Sequence, residues 1–123
     1  MKSRTIILSL CSVILLFFWQ CTTNPTEPDG PAANEIWFQS GAVTPKTLTV
    51  SRGTTVEWLN MSNETHGVDS GAPMNPAGLF TSGNLTPGDP AFPHTFNSVG
   101  SFNYFCLIHQ NRSAEQGAVV VTP

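Results

Sequence analysis

Positive charge is scarce in this chain of 123 residues: Lys and Arg together number 5, against 8 Asp and Glu. Beyond residue 21 only Lys46, Arg52 and Arg112 are basic. A nucleic-acid partner is thereby disfavoured, because holding a phosphate backbone takes a clustered basic surface. No apolar run reaches the roughly 18–20 residues of a membrane-spanning helix. The longest, Ile6–Trp19, is shorter and gives way at once to polar residues. Sustained helical periodicity and internal repeats are both absent, which argues against a helical or repeat architecture. Cysteine pairs are missing as well: of 3 Cys only Cys106 lies beyond residue 21, so no disulfide framework can staple the fold. No methionine follows Met74.

The start of the chain is informative in what it does contain. Lys2 and Arg4 precede the apolar run Ile6–Trp19, a basic region joined to a short hydrophobic one, which is the pattern of an export signal. The following "LFFWQCTTN" has no small-x-small cleavage site; instead Cys21 stands directly after the apolar run. It resembles a bacterial lipoprotein signal, in which that cysteine is lipidated and becomes the first residue. Trp19 and Gln20 depart from the small residues usual there. Residues 1–20 are thus expected to be a signal peptide. Residues 21–34, rich in Pro, Thr, Gly and Ala, bury too little to repay ordering and read as a flexible tether. Residues 35–123 suffice for one small domain with a single core.

Within that domain short alternating runs recur between Gly, Pro, Asn and Ser punctuation, the pattern of an all-β sandwich. Strands are expected at Glu35–Gln39, Lys46–Val50 and Thr54–Asn60, the last two joined by "SRG" as a hairpin from Lys46 to Asn60. Residues Met61–Pro90 read as a long irregular loop with short strands near His66–Val68 and Leu79–Phe80. Regularity returns with "FPHTF" (Phe92–Phe96), "SFNYFC" (Ser101–Cys106) and "AVVVT" (Ala118–Thr122). Parity puts Phe92, His94 and Phe96 on one face, and Phe102, Tyr104 and Cys106 on another.

Cys106 is therefore a lone thiol at a strand end in an exported protein, where thiols usually pair or oxidise. Metal ligation protects such a group and gives it a role. His109 follows three residues later, close enough to share an ion with it. Soft thiolate and neutral imidazole suit copper or zinc. A third ligand must come from elsewhere, and His66, just after the strand ending "EWLN", is the leading candidate.

Taken together, "TLTVSRGTTVEWLNMSNETHGV", "PAGLFTSGNLTPGDPAFPHTF" and "VGSFNYFCLIH" resemble the plastocyanin-like blue-copper (cupredoxin) family over Thr44–Val121. The order is the family's: a strand ending W-x-N, a loop histidine, a G-x-[FY]-x-Y-x-C strand, C-x-x-H, and a G-x-V-x-V strand. The resemblance implies a Greek-key β-sandwich with one copper held by His66, Cys106 and His109. His94 sits where relatives carry a histidine that is not a ligand, and its expected role is packing.

One feature departs from the family. A weak axial methionine usually follows the second histidine, two residues before the glycine that opens the last strand. Here that glycine is Gly117, two residues back is Glu115, and Arg112 stands where short-loop relatives place the methionine. Glu115 could offer a carboxylate oxygen, Gln116 an amide oxygen, or no side chain could bind axially; register puts Glu115 first. An oxygen donor, harder than sulfur, predicts a lower reduction potential.

The function implied is a monomeric electron carrier cycling Cu(II) and Cu(I), not an enzyme, meeting a redox partner protein near His109. Leu107, Ile108, Met74 and Pro76 could contribute an apolar docking patch there. Membrane contact is expected only through lipidated Cys21, and the setting is the periplasm or cell surface. The alternative is a copper-binding module for storage, sensing or delivery without fast electron transfer.

Overall fold

The structure is a computed structural model that describes residues 29–123. The expected signal peptide, Cys21 and the tether as far as Pro28 lie outside the described residues.

Two sheets face each other. One contains β1 (Glu35–Gln39), β2 (Ala42–Thr44), β4 (Thr55–Asn60) and β7 (Phe92–Thr95), in the order β2-β1-β4-β7. The other contains β3 (Thr47–Ser51), β5 (Val68–Ala72), β6 (Asn75–Thr81), β8 (Gly100–Cys106) and β9 (Gln116–Thr122), in the order β3-β9-β8-β5-β6. β1 runs parallel to β4 and β3 parallel to β9, and the remaining pairs are antiparallel. A 3₁₀ turn at Ser113–Glu115 leads into β9, and there is no α-helix among the described residues. This is the all-β Greek-key sandwich expected from the sequence, in one small domain. Among the described residues no helix is long and apolar enough to cross a membrane.

Alternation along each strand sorts side chains between core and solvent. Leu48 and Val50 of β3 are buried between exposed Thr47, Thr49 and Ser51, and Val56 and Trp58 of β4 are fully buried. Trp58 is the centre of the core, with ring centroids 5.5 Å from Phe80, 5.9 Å from Phe92 and 5.5 Å from Tyr104, the last edge-on. Aromatic contacts of this kind add about 0.5–1.5 kcal/mol each beyond the area they bury.

The expected Lys46–Asn60 hairpin does not form. β3 and β4 belong to opposite sheets, and the chain crosses between them at Ser51–Thr54. The amides of the corner explain why: Arg52 N–H donates to Thr122 of β9, while Gly53 N–H donates to Phe96 next to β7. Each half of the turn is thus bound to a different sheet. The alternating residues of β3 and β4 meet face to face across the core, so their patterning is the same as a hairpin's would be.

Residues 61–90 are also more regular than their composition suggests. β5 and β6 form a hairpin turning through Pro73 and Met74, with a bulge between Asp69 and Gly71. Met74 takes φ 63°, a left-handed conformation usually given to Gly or Asn. Its N–H donates to Gln110 Oε1 at 3.0 Å, tying this turn to the loop after β8. His94 of β7 lies opposite Val56 and is half-buried between Phe80 (4.6 Å) and Phe96 (4.8 Å), the packing role expected of it.

Gly117, the second residue of β9, lies directly opposite Tyr104. A Cβ there would lie 2.5 Å from the Lys46 carbonyl oxygen and would collide with the Tyr104 hydroxyl. Because one obstacle is backbone, the strands themselves must move. Gly117→Ala is therefore expected to destabilise the metal-free protein by about 1–3 kcal/mol, read as a lower midpoint in denaturant unfolding.

Candidate metal centre

The topology brings two loops together at one end of the sandwich, the β4–β5 loop and the β8–β9 loop. His66 lies between β4 and β5, Cys106 ends β8, His109 follows in the next loop, and Glu115 closes the 3₁₀ turn before β9. His66 is pinned by its backbone: its N–H donates to Leu85 O (3.0 Å) and Leu85 N–H donates back (2.8 Å). Gly67 beside it allows close approach, since a Cβ would sit 2.6 Å from the Gly83 carbonyl oxygen. Cys106 is carried in by the pairing of Val68 with Cys106, and Leu107 N–H donates to Gly67 O.

One donor atom from each of His66, Cys106, His109 and Glu115 lies within 4.8 Å of every other. Cys106 Sγ is 3.8 Å from His66 Nδ1 and 3.6 Å from His109 Nδ1. Glu115 Oε2 is 3.3 Å from His66 Nδ1 and 2.9 Å from His109 Nδ1. A single ion bonded to N, O and S at about 2.0–2.3 Å spaces its donors about 3.3–3.8 Å apart. The cluster therefore fits one transition-metal ion with little rearrangement, and a mixed thiolate, imidazole and carboxylate set suits copper or zinc.

Outer contacts fix the orientation of these groups. His66 stacks on Phe38 with centroids 4.9 Å apart and an interplanar angle of 19°. Its Nε2 is 2.8 Å from Ser62 Oγ, and that hydroxyl is 2.9 Å from Asn60 Oδ1, to which it donates. With the hydroxyl hydrogen so committed, Ser62 accepts from His66 Nε2–H, which leaves the Nδ1 lone pair facing Cys106. Asn60 also accepts Ser62 N–H and donates to the carbonyls of Glu64 and Leu85. The W-x-N asparagine is thus the organiser of the His66 loop.

His66, Cys106 and Glu115 are essentially fully buried, whereas the His109 side chain is 19 % exposed. Burial lowers the His66 pKa, with the Glu115 charge partly opposing, so the ring favours its neutral, ligating form. Burial pushes the Cys106 thiol up, although backbone contact with Gly67 partly offsets this. Glu115 is the opposite case. Burial alone would raise its carboxyl, but hydrogen bonds from Arg112, Cys106 and His109 outweigh it and hold the group below the usual carboxylate range.

Of the residues expected from the sequence, His66, Cys106, His109 and Glu115 come together. Gln116 does not join them: strand alternation turns it outward at the start of β9, where it lines an outer cleft with Lys46 and Asn103. Sequence reading missed Ser62, Asn60 as a loop organiser, and Glu64 with Arg112. The spacing W-x-N-x-S-x-x-x-H was available as a signal for the first two.

No family model matches the chain, and no curated protein does either. Among solved structures it is similar to a novel purple cupredoxin from Nitrosopumilus maritimus, at 30 % identity over 72 % of this chain and 98 % of that one, with a TM-score of 0.64. It is similar to a reduced amicyanin mutant at 24 % identity, covering 72 % of this chain and 80 % of that one (TM-score 0.61). The oxidised plastocyanin of Dryopteris crassirhizoma shares 19 % identity over 72 % of this chain and 99 % of that one (TM-score 0.57). At these lower identities the last two likenesses concern the fold alone.

Proposed function

The chain belongs to the cupredoxin family, and from that premise we propose that it is a copper-binding electron-transfer protein, with His66, Cys106, His109 and Glu115 as the ligands of a single copper. The observation that supports this most is the buried four-donor cluster at one end of the sandwich. A bound copper would supply one-electron cycling between Cu(II) and Cu(I). The remaining work belongs to the protein. Cys106 provides the soft thiolate, the two Nδ1 atoms provide imidazole donors, and Glu115 takes the position where methionine is absent.

Rigidity around the donors favours fast transfer, because little has to move between oxidation states. His66 is held by Phe38, Ser62 and the Leu85 bridge, and Glu115 by its ion pairs. Electrons would leave by the exposed edge of His109. Ile108 is 42 % exposed and Met74 88 % exposed, and the Met74–Gln110 hydrogen bond keeps Met74 beside that loop. With Leu107 and Pro76 they offer an apolar patch for a redox partner protein, whose encounter interface need only be small. A storage or delivery role asks that metal leave readily, and the full burial of His66, Cys106 and Glu115 speaks against it. Export, with tethering through a lipidated Cys21 in the periplasm or at the cell surface, completes the proposal.

The visible and EPR spectra of the copper-loaded, oxidised protein test the reading. An intense thiolate-to-copper absorption with narrow hyperfine coupling is expected. A weakly coloured protein with an ordinary copper EPR spectrum would remove the electron carrier from consideration.

A further inference from the structure

Arg112 occupies an unusual place in the site. It stands in the loop after His109, with its own N–H donating to His109 O (2.9 Å) and its carbonyl accepting Glu115 N–H (3.0 Å). Its guanidinium reaches in both directions. Nη1 donates to Glu115 Oε1 at 2.9 Å and to Glu64 Oε2 at 2.9 Å, and Nη2 is 3.4 Å from Glu64 Oε1. Glu64 belongs to the other ligand loop, two residues before His66, and its carbonyl is held by Asn60 Nδ2 at 2.7 Å.

We propose that Arg112 is the positioning residue that presents Glu115 to the metal, and that Glu64 holds Arg112 in place, so an ion-pair chain across the two ligand loops fixes the fourth donor. The inference rests on the reading of Glu115 as a ligand. Its physical basis is the division of labour between the two carboxylate oxygens. Oε1 is engaged by Arg112, while Oε2 is the oxygen that lies between His66 Nδ1 and His109 Nδ1. One oxygen is capped and the other is aimed. Without that cation the contact that fixes Oε1 is gone, and the buried carboxylate is free to rotate Oε2 away from the two histidines.

The arrangement differs from an ordinary surface ion pair, which contributes little. Arg112 and Glu64 are 40 % and 36 % exposed, but the far end of the chain is a carboxylate with no exposure at all. The fork geometry of a guanidinium lets it serve two carboxylates at once.

The test compares Arg112→Gln, Arg112→Lys, Glu64→Gln and Glu115→Gln, each loaded with Cu(II). It reads the visible and EPR spectra, the rate of copper release to a chelator, and the unfolding midpoint of the metal-free form. Arg112→Gln is expected to move the spectrum in the same direction as Glu115→Gln and to weaken copper retention by about 10–100-fold, the usual effect of losing an outer partner of a metal ligand. Glu64→Gln should do the same more weakly, and Arg112→Lys should stay near the wild-type spectrum. A purely structural arginine would lower the unfolding midpoint and leave the spectrum where it was, and that result overturns the proposal. If Arg112→Gln does not fold, Glu64→Gln, which leaves the buried Arg112–Glu115 contact in place, carries the comparison, and an unchanged spectrum and release rate there overturns it equally. If Glu115→Gln itself leaves the spectrum unchanged, the failure lies with Glu115 as a ligand and not with Arg112 alone.

Discussion

Replacing Cys106 by serine abolishes the visible thiolate-to-copper absorption and reduces copper affinity by more than the roughly 10–100-fold that outer partners of a ligand command. Both effects follow from one substitution of sulfur by oxygen. Serine is nearly isosteric, so His66, His109 and Glu115 keep their positions, but the hydroxyl stays protonated and cannot supply the soft anion. The loss should therefore be chemical and the fold should survive, which thermal unfolding of the metal-free variant checks. Proton release provides a second readout. Burial holds the Cys106 thiol above its ordinary pKa, with its largest cause being the loss of solvation. At neutral pH it is protonated when no metal is present, so copper uptake must expel that proton. Wild-type affinity should accordingly rise with pH through the neutral range, and the serine variant should show a flatter dependence. Unchanged colour and affinity in Cys106→Ser would remove the site assignment entirely.

Glu115→Met, which restores the thioether usual in the family, is expected to keep the intense absorption and to raise the reduction potential. A carboxylate is a hard, anionic donor and favours Cu(II), whereas a thioether is soft and neutral and relatively favours Cu(I). For a one-electron couple each tenfold change in that preference is about 59 mV. A loss of one to two decades thus corresponds to an upward shift of about 60–120 mV, readable by redox titration. Arg112 would keep Glu64 as its partner in this variant, since the pair between them does not pass through Glu115. An unchanged potential would mean that Glu115 does not sense the metal's charge, and the site would then be a three-donor one.

The extent to which the sequence anticipates the structure differs from element to element, and for definite reasons. Alternation in "KTLTV" and "TTVEWLN" identifies the inward residues correctly, because parity depends only on the strand itself. It does not say which strand lies alongside, and so a sheet-to-sheet corner reads as a hairpin. The β5–β6 hairpin was hidden by the Gly and Pro residues that a bulge and a tight turn require. Cys106 and His109 are visible as a pair because the loop between them is short and local. His66 is found only through the order of motifs along the chain.

The sequence by itself therefore determines the all-β class, the core parity, the cysteine and histidine candidates for metal binding and the absence of a methionine after Met74, since each is a matter of residue type, alternation or short spacing. Only the tertiary structure decides which further side chain lies beside Cys106, His66 and His109. The 3₁₀ turn and the start of β9 send Glu115 inward and Gln116 outward, and a loop of altered length leaves that register undefined until it is folded. The Glu64–Arg112–Glu115 chain is likewise a tertiary fact. Its first two members lie 48 residues apart, and only the meeting of two loops at the same end of the sandwich brings the opposite charges within 2.9 Å.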